Sequence, residues 1–446
     1  MRSRPLALTL LTILLAGCAA GRAPGGAVAT PGVSEPLREV LPNGVVLIAQ
    51  EQRAADVVAL QLWVRVGGRD EAANELGLSH YLEHMLFKGT PTRPPGSIDR
   101  MIEGLGGQSN AGTTQDFTHF DVVLPARDLK AGLELLADIA VNASFEQSEL
   151  DAERKVVFEE MRLSEDNPDR FMLRQIYEVA YQPSPYGRPL LGPPELIGAL
   201  TREQLRAYYA KHYVPKNMIV VVVGAVGPDD VRAAMADTFG RLRGAEPARP
   251  VSRSLSPLER RRGVDVPRPE QQAYLGLAWR TAPTNEPDVY AVDLLTYILG
   301  DSPSSRLNQQ LRERERLVFA IEAGYGAWEK AGLVTVIARL EPGNLERAEA
   351  SILDVIRRVR DDGITETERQ RAMVTAEANY AVVIETAEGL AKTYGQAEAT
   401  WTLADELAYL TRLRQVTAGE IQAVARKYFG DDNYARVRFV PRAGAK

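Results

Sequence analysis

Two histidines and a glutamate near position 80 have the types and spacing of a metal centre. His80, Glu83 and His84 follow the order H-x-x-E-H in a segment, 78–87, whose apolar residues recur with helical spacing. Residues four apart lie one above the other on a helix, so both imidazoles can bind one ion at about 2.0 to 2.1 Å. With four His in 446 residues, such a pair is expected by chance about 0.03 times. The pattern predicts a zinc site in which Glu83 takes a proton from a water that attacks a carbonyl carbon.

A catalytic zinc ion needs a third protein ligand and one open position. The predicted helix over 149–163 offers several carboxylates. Glu153 and Glu160 are seven residues apart on its apolar stripe, whereas Glu159 lies on the charged side. The alternative is that Glu153 and Glu160 are merely part of a solvated face. The other residues of that stripe are Val156 and Val157. Two further histidines remain alternative ligands: His119, in a predicted strand over 117–124, and His212, near a helix end.

Composition limits the class of protein. The chain has 446 residues, of which 45% are hydrophobic and 25% charged, as in a soluble globular protein of two or more domains. Its formal net charge is -6, so it has no basic excess for binding nucleic acid. Because Cys18 is the single cysteine, neither an intramolecular disulfide nor a thiolate zinc cluster can form.

The N-terminus has the order of a bacterial secretion signal. Arg2 and Arg4 precede an apolar run over 6–15, which is too short to span a bilayer and is followed by small residues. Leu15-Ala16-Gly17-Cys18 resembles a lipobox, in which the cysteine is lipidated. We therefore predict a lipoprotein signal peptide over 1–17 and a flexible tether over 18–36, with the lipid holding the protein to a membrane. An ordinary cleaved signal is the alternative.

The chain contains a long internal repeat. Six residues recur at a constant offset of 216: Thr201, Leu205, Ala207, Lys211, Tyr213 and Asn217 correspond to Thr417, Ile421, Ala423, Lys427, Phe429 and Asn433. Each copy predicts a capped helix, a turn and an apolar strand. We expect an N-terminal domain over 37–245, a linker rich in Pro and Arg over 246–266, and a C-terminal domain over 267–446 that lacks a metal motif.

From about 37 to 442 the sequence resembles the pitrilysin and insulysin family of zinc peptidases, in the short two-domain branch that includes the mitochondrial processing peptidase. The segments that carry the resemblance are the motif of the zinc helix, 106–118, 186–192 and 213–218. The resemblance implies that Glu160 is the third ligand. It also implies that Glu153 supports the site by holding a ligand in place, without binding the metal itself. It also implies that Asn110 and Ala111, on an edge strand, pair with an extended substrate.

The resemblance further implies the fold and the type of substrate. We expect the α+β class, an α/β sandwich of two homologous domains, each a mixed, mainly antiparallel sheet with helices packed on one side. With a partner, the chain would enclose a chamber that admits peptides or unfolded segments, with one Zn²⁺ per chain. With Ala19 directly after Cys18, the N-terminus resembles those of lipoproteins that are held in the outer membrane and face the periplasm.

One position departs from the family pattern. Active members carry an Arg and a Tyr that contact the substrate carbonyl, and here Arg312 matches the Arg while Phe319 stands at the Tyr. Phe has no hydroxyl to stabilise an oxyanion. We therefore expect a hetero-dimer, in which a related subunit supplies an Arg/Tyr pair, or else a homo-dimer in which Phe319 is core or the register differs. A noncatalytic subunit and a hydrolase of non-peptide bonds are the alternative functions.

Overall fold

The computed structural model describes residues 35–247, 253–300 and 302–442. In the first half, the described strands are β1 (Leu37–Val40), β2 (Val46–Glu51), β3 (Val57–Val64), β4 (Gln108–Thr113), β5 (Thr118–Pro125) and β6 (Met218–Gly224). The helices of this half are α1 (Leu78–Leu86), α2 (Ser97–Gly104), α3 (Leu129–Asn142), α4 (Gln147–Asp166), α5 (Pro168–Tyr181), α6 (Pro194–Ala199), α7 (Arg202–His212) and α8 (Pro228–Asp237).

The second half repeats this mixture of strands and helices. Its described strands are β7 (Arg262–Arg268), β8 (Ala273–Thr281), β9 (Val318–Ala327), β10 (Gly332–Leu340) and β11 (Ala435–Pro441). Its helices are α9 (Val289–Gly300), α10 (Leu345–Asp362), α11 (Glu366–Val383), α12 (Ala387–Thr400), α13 (Leu403–Gln415) and α14 (Ala418–Tyr428), with a short π-helix over Asn308–Arg314.

The two sheets have the same topology. The first has the strand order β1-β2-β6-β3-β5-β4 and the second β7-β11-β8-β10-β9. In each, one parallel pair, β2 with β6 or β7 with β11, is followed by antiparallel neighbours. Among the described strands, only β1 has no counterpart in the second sheet. The predicted fold class, two homologous domains with mixed, mainly antiparallel sheets, is confirmed.

The repeated sequence also makes repeated contacts. Thr201 and Thr417 each cap the helix that follows, α7 and α14, through a reciprocal capping box. The Asn217 side chain then donates to the carbonyl of His212 (2.9 Å), and Asn433 donates to that of Tyr428 (3.0 Å). The same polar side chain therefore joins helix to strand in both halves.

Each sheet is covered on its second face by a helix from the other half of the chain. Helix α12 packs on β3 and β6, where Gly395 lies so close to the Trp63 ring that a Cβ would come within 2.1 Å of its Nε1. Helix α5 packs on β8 and β11, where Gly276 leaves room for Ile176. Each sheet thus has the predicted layer of helices on one face. Its other face is covered by an exchanged helix, meaning a helix that comes from the opposite half of the chain.

The structure corrects one predicted boundary. Strand β7 pairs with β11 along its whole length, so residues 262–266 of the predicted linker over 246–266 belong to the second sheet. The strand alternates half-buried and exposed residues, as expected at a sheet edge. The predicted signal peptide, Cys18 and nearly all of the tether lie outside the described residues. Among the residues that are described, no helix is both long and apolar enough to cross a membrane.

Candidate metal centre

Helix α1 is held at its first turn by a buried carboxylate. Gly77, with a φ of 90°, precedes the helix, and its neighbours leave no room for a side chain. Glu71 accepts hydrogen bonds from the backbone N–H groups of Gly77 (2.9 Å) and Ser79 (2.8 Å), which a helix start otherwise leaves unpaired. Burial raises the pKa of Glu71 to about 8, against the opposing effect of these bonds. The apolar face, including Leu82 and Met85, is buried in the first core.

His80 and His84 project from α1 towards Glu160 of α4. The Nε2 atoms of His80 and His84 lie 3.3 Å and 3.5 Å from the Oε2 atom of Glu160. Ligand atoms about 2.0 to 2.1 Å from a tetrahedral zinc ion are about 3.4 Å apart, so both of these distances fit such an ion. Hydrogen bonds from both histidines hold the pKa of Glu160 well below its usual range. Within the described residues this is the one group of three or more His, Cys, Asp or Glu that could hold a metal.

Glu153 lies behind His84 rather than in the cluster. Its Oε2 atom is 3.0 Å from His84 Nδ1, and Lys88 Nζ is 2.8 Å from its Oε1. Burial alone would raise the pKa of the Glu153 carboxyl, but hydrogen bonds from His84 and Lys88 have the larger effect. The pKa is therefore lowered, and the ionised carboxylate accepts hydrogen bonds. Nδ1–H therefore donates to Glu153, so Nε2 is the nitrogen that can bind a metal once it has lost its own proton.

We expect Glu153→Gln to weaken zinc binding by about 10- to 100-fold without abolishing it. The amide keeps the size of the side chain but loses the charge that orients the imidazole and pairs with Lys88. Competition with a chromophoric zinc chelator measures the affinity. Glu149→Gln, at the start of the same helix, is the matched control, and equal affinities in the two variants would contradict this role for Glu153.

Glu83 lies between the two histidines in sequence and contacts the edge of the first sheet. Its Oε2 atom accepts a hydrogen bond of 2.5 Å from the Thr113 hydroxyl at the end of β4. Among the described strands β4 is at the sheet edge, with Asn110 exposed and Ala111 half-buried. The predicted base is thus positioned next to a free strand edge that can pair with an extended peptide.

The alternative ligands lie elsewhere. His119 lies on β5, where its ring stacks on Trp63 (4.6 Å between centroids) and its Nδ1 is 3.1 Å from Asp121. His212 is buried at the end of α7 with its ring against Tyr208 (4.4 Å). The predicted stripe on α4 is only partly correct, because Val157 is buried while Val156 is 48% exposed.

The residues of the predicted Arg/Tyr position lie in the second domain. Arg312, in the π-helix, is 3.9 Å from Glu313, and both side chains are about half exposed. Phe319, on β9, is 44% exposed, so the alternative in which it is core is wrong. The structure does not bring either residue into the cluster on α1 and α4.

Sequence analysis missed three residues around the centre: Thr113, Lys88 and Trp328. Thr113 belongs to the segment 106–118 that carries the family resemblance, and Lys88 lies in the turn just after α1, where it contacts Glu153. Trp328 comes from the second domain and lines a cavity that also includes Glu160. No local pattern could have assigned it.

Comparison with known proteins places this geometry in a family. A family model described as "Insulinase (Peptidase family M16)" matches residues 46–194, and one described as "Peptidase M16 inactive domain" matches 199–374. A protein of Rickettsia felis named "Uncharacterized zinc protease" is 30% identical over 308 residues, which cover 69% of this chain and 74% of that protein. The chain belongs to the insulinase family, peptidase family M16. The resemblance stated from the sequence is confirmed.

Other similar proteins match most of the chain. A protein of Mycobacterium tuberculosis strain H37Rv, also named an uncharacterized zinc protease, is 29% identical over 394 residues, 88% of this chain and 90% of that protein. A solved protease from Helicobacter pylori has a TM-score of 0.86 at 24% identity, covering 92% of this chain and 100% of that one. An M16 inactive-domain protein from Pseudomonas fluorescens has a TM-score of 0.84 at 20% identity, covering 93% and 99%. The two structures share the fold.

Proposed function

We propose that the protein is a zinc metalloendopeptidase that cleaves peptides or unfolded polypeptide segments in the bacterial cell envelope. The observation that carries the proposal is the convergence of His80, His84 and Glu160 on one point, with Glu83 beside them at a free strand edge. The relatives named as zinc proteases support both the metal and the class of reaction. Zinc, one ion per chain, is the cofactor that this donor set fits.

Each residue has a separate task in the proposed reaction. When bound, zinc supplies a Lewis acid that polarises a carbonyl and makes water acidic enough to lose a proton near neutral pH. Glu83 takes that proton, and the Thr113 hydroxyl holds its carboxylate in place. Strand β4, through Asn110 and Ala111, pairs with the peptide backbone and sets its direction. Glu153 keeps the ring of His84 in the ligating orientation.

The test is peptide cleavage by purified protein that carries one equivalent of zinc. We expect a mixture of quenched fluorescent peptides to be cleaved, with activity removed by a chelator and restored by zinc. A folded protein that contains the same peptide sequences should resist cleavage. Zinc-loaded protein that cleaves no peptide, either alone or as isolated from cells, would reject the proposal.

A second candidate function is that of a catalytically weak subunit in a heteromeric processing complex. The exposed phenyl ring of Phe319 favours it, because it offers no hydroxyl to a developing oxyanion. Loss of one such donor lowers the rate by about 100- to 1000-fold. A related chain with an intact Arg/Tyr pair would then complete the site. Full activity of the isolated chain, unchanged by Arg312→Ala, would remove the reason to expect this partner.

The location in the envelope rests on Cys18. We propose that this residue carries the lipid that anchors the protein, on the periplasmic face of the outer membrane. Cys18→Ser should leave the protein unlipidated, either in the soluble fraction or held by an uncleaved signal. An unchanged mass and membrane distribution would show that the lipid is not attached there.

A further inference from the structure

The loop over 114–117, which joins β4 to β5, follows directly on the residue that contacts Glu83. That residue is Thr113, whose hydroxyl donates to the Glu83 carboxylate (2.5 Å). The loop is held against the segment after β3, because its carbonyl groups accept hydrogen bonds from the N–H groups of Gly68 (3.0 Å) and Arg69 (3.1 Å). The position of the Thr113 hydroxyl therefore depends on where this loop is held.

The second domain also holds the loop, through buried Asp116. The Asp116 carboxylate accepts from the N–H of Glu329 (2.7 Å), in the turn between β9 and β10, and from the Tyr186 hydroxyl (2.7 Å). Arg69 lies 3.0 Å from Asp116 and supplies the opposite charge. The Tyr186 hydroxyl accepts in turn from the N–H of Lys330 (3.2 Å). Asp116 and Tyr186 thus each bind one backbone N–H group of the same turn.

The turn between β9 and β10 is itself fixed within the second domain. The N–H of Trp328 donates to the carbonyl of Ala331 (2.7 Å). The carbonyl of Trp328 accepts from the N–H of Thr284 (3.0 Å), and the carbonyl of Lys330 accepts from the N–H of Leu255 (2.9 Å). Because the turn is braced on both sides, it holds the loop of the first domain in place rather than following its movements.

The polar contacts of this turn are not needed simply to join the two halves. The exchanged helices α5 and α12 already bury apolar side chains of each half against the sheet of the other. A buried charged network adds little net stability, because the cost of removing the charges from water offsets most of their attraction. The contacts of Arg69, Asp116 and Tyr186 instead converge on the loop that continues from Thr113.

We propose that Asp116 and Tyr186 are positioning residues for the reaction. They fix the loop over 114–117 to the second domain, and the loop in turn sets the position of the Thr113 hydroxyl against Glu83. A base must lie within hydrogen-bond distance of the proton that it takes, and a displacement of about 1 Å can lower the rate by about 100-fold. The second domain thereby contributes to catalysis without supplying a metal ligand. The inference rests on the proposed peptidase function.

Replacing Tyr186 by Phe removes one hydroxyl and keeps the ring. In the zinc-loaded protein, Tyr186→Phe is expected to lower kcat for a quenched peptide by about 10- to 100-fold. KM and zinc affinity should stay near wild-type values, because β4 and the metal ligands are unchanged. The matched control is Tyr181→Phe, whose ring is buried 5.8 Å from that of Tyr186 and whose hydroxyl has no hydrogen-bond partner among the described residues. Equal kcat values in the two variants overturn the inference.

A double-mutant cycle with Thr113→Val tests the route from Tyr186 to the base. Thr113→Val alone should reproduce the loss in kcat. If Tyr186 acts through the Thr113 hydroxyl, Tyr186→Phe lowers kcat no further once that hydroxyl is absent. Effects that multiply in the double variant indicate a general structural role and overturn the inference. A wild-type kcat in Thr113→Val overturns it as well.

Amide hydrogen exchange of the zinc-loaded protein separates this inference from the proposed function. Fragments that cover 113–117 should exchange faster in Tyr186→Phe than in Tyr181→Phe, while fragments that cover α1 stay equally protected. This result supports the link between the second domain and the loop even if the wild-type protein cleaves no peptide, which would reject the peptidase function alone. Equal exchange over 113–117 in the two variants overturns the inference whatever the activity.

Discussion

Replacing Glu83 by Gln is expected to reduce peptide cleavage by about 10²- to 10⁴-fold while zinc stays bound at one ion per chain. The amide keeps the shape of the side chain and can still accept the hydrogen bond from Thr113. It cannot take a proton from water at neutral pH. Because the histidines and Glu160 are unchanged, the metal site keeps its donors. Turnover of a quenched peptide and metal analysis by mass spectrometry measure the two effects separately.

The control for this variant is Glu103→Gln, at an exposed position of α2. It makes the same chemical change away from the cluster and should leave both turnover and zinc content at wild-type values. Near wild-type turnover in Glu83→Gln would falsify the assignment of the base. Loss of zinc in that variant would instead place Glu83 among the ligands.

Replacing Glu160 by Gln is expected to remove zinc, and with it both activity and the stabilisation that zinc provides. The Oε2 atom of Glu160 is the atom near both imidazole Nε2 atoms, so no neighbouring group can substitute without moving. The loss in affinity should exceed the 10- to 100-fold expected for Glu153→Gln. A ligand that binds only the folded state raises the melting temperature, so wild-type protein should show a zinc-dependent shift that Glu160→Gln lacks.

Glu159→Gln provides a stringent control because it alters the preceding residue. That carboxylate is exposed and paired with Arg162, whose side chain is also exposed. It should keep full zinc affinity and the full thermal shift. If Glu160→Gln also retained them, the third ligand would have to be sought elsewhere.

Residues whose roles depend on local spacing were predictable from the sequence. The i, i+4 relation of His80 and His84 is a property of a single helix, and the edge position of β4 followed from the family resemblance. The choice of Glu160 among neighbouring carboxylates also needed that resemblance, since Val156 on the supposed apolar stripe is exposed. Spacing along one helix does not by itself decide which face is buried, because burial depends on what packs against it.

Features that depend on the meeting of distant segments could not be predicted. Trp328 reaches the cavity only because its hairpin is fixed to Asp116 and Tyr186 in the other domain. The exchange of α5 and α12 likewise follows from tertiary packing, not from any helical pattern. Strand β7 resembles a linker in sequence because its exposed positions are Arg262, Gly263, Asp265 and Pro267. Val264 and Val266 nevertheless alternate with them as in a strand.

The exchange of helices has a consequence for the origin of the chain. Shifting α5 (Pro168–Tyr181) by the repeat offset of 216 residues brings it onto most of α12 (Ala387–Thr400), so the two exchanged helices are counterparts. Each half therefore lends the same element to the other, as identical protomers do in a domain-swapped homodimer. The present chain has the form that fusion of such a dimer's two genes would produce. In this chain all four histidines lie in the first half, so the two halves share the exchanged helix but not the metal centre.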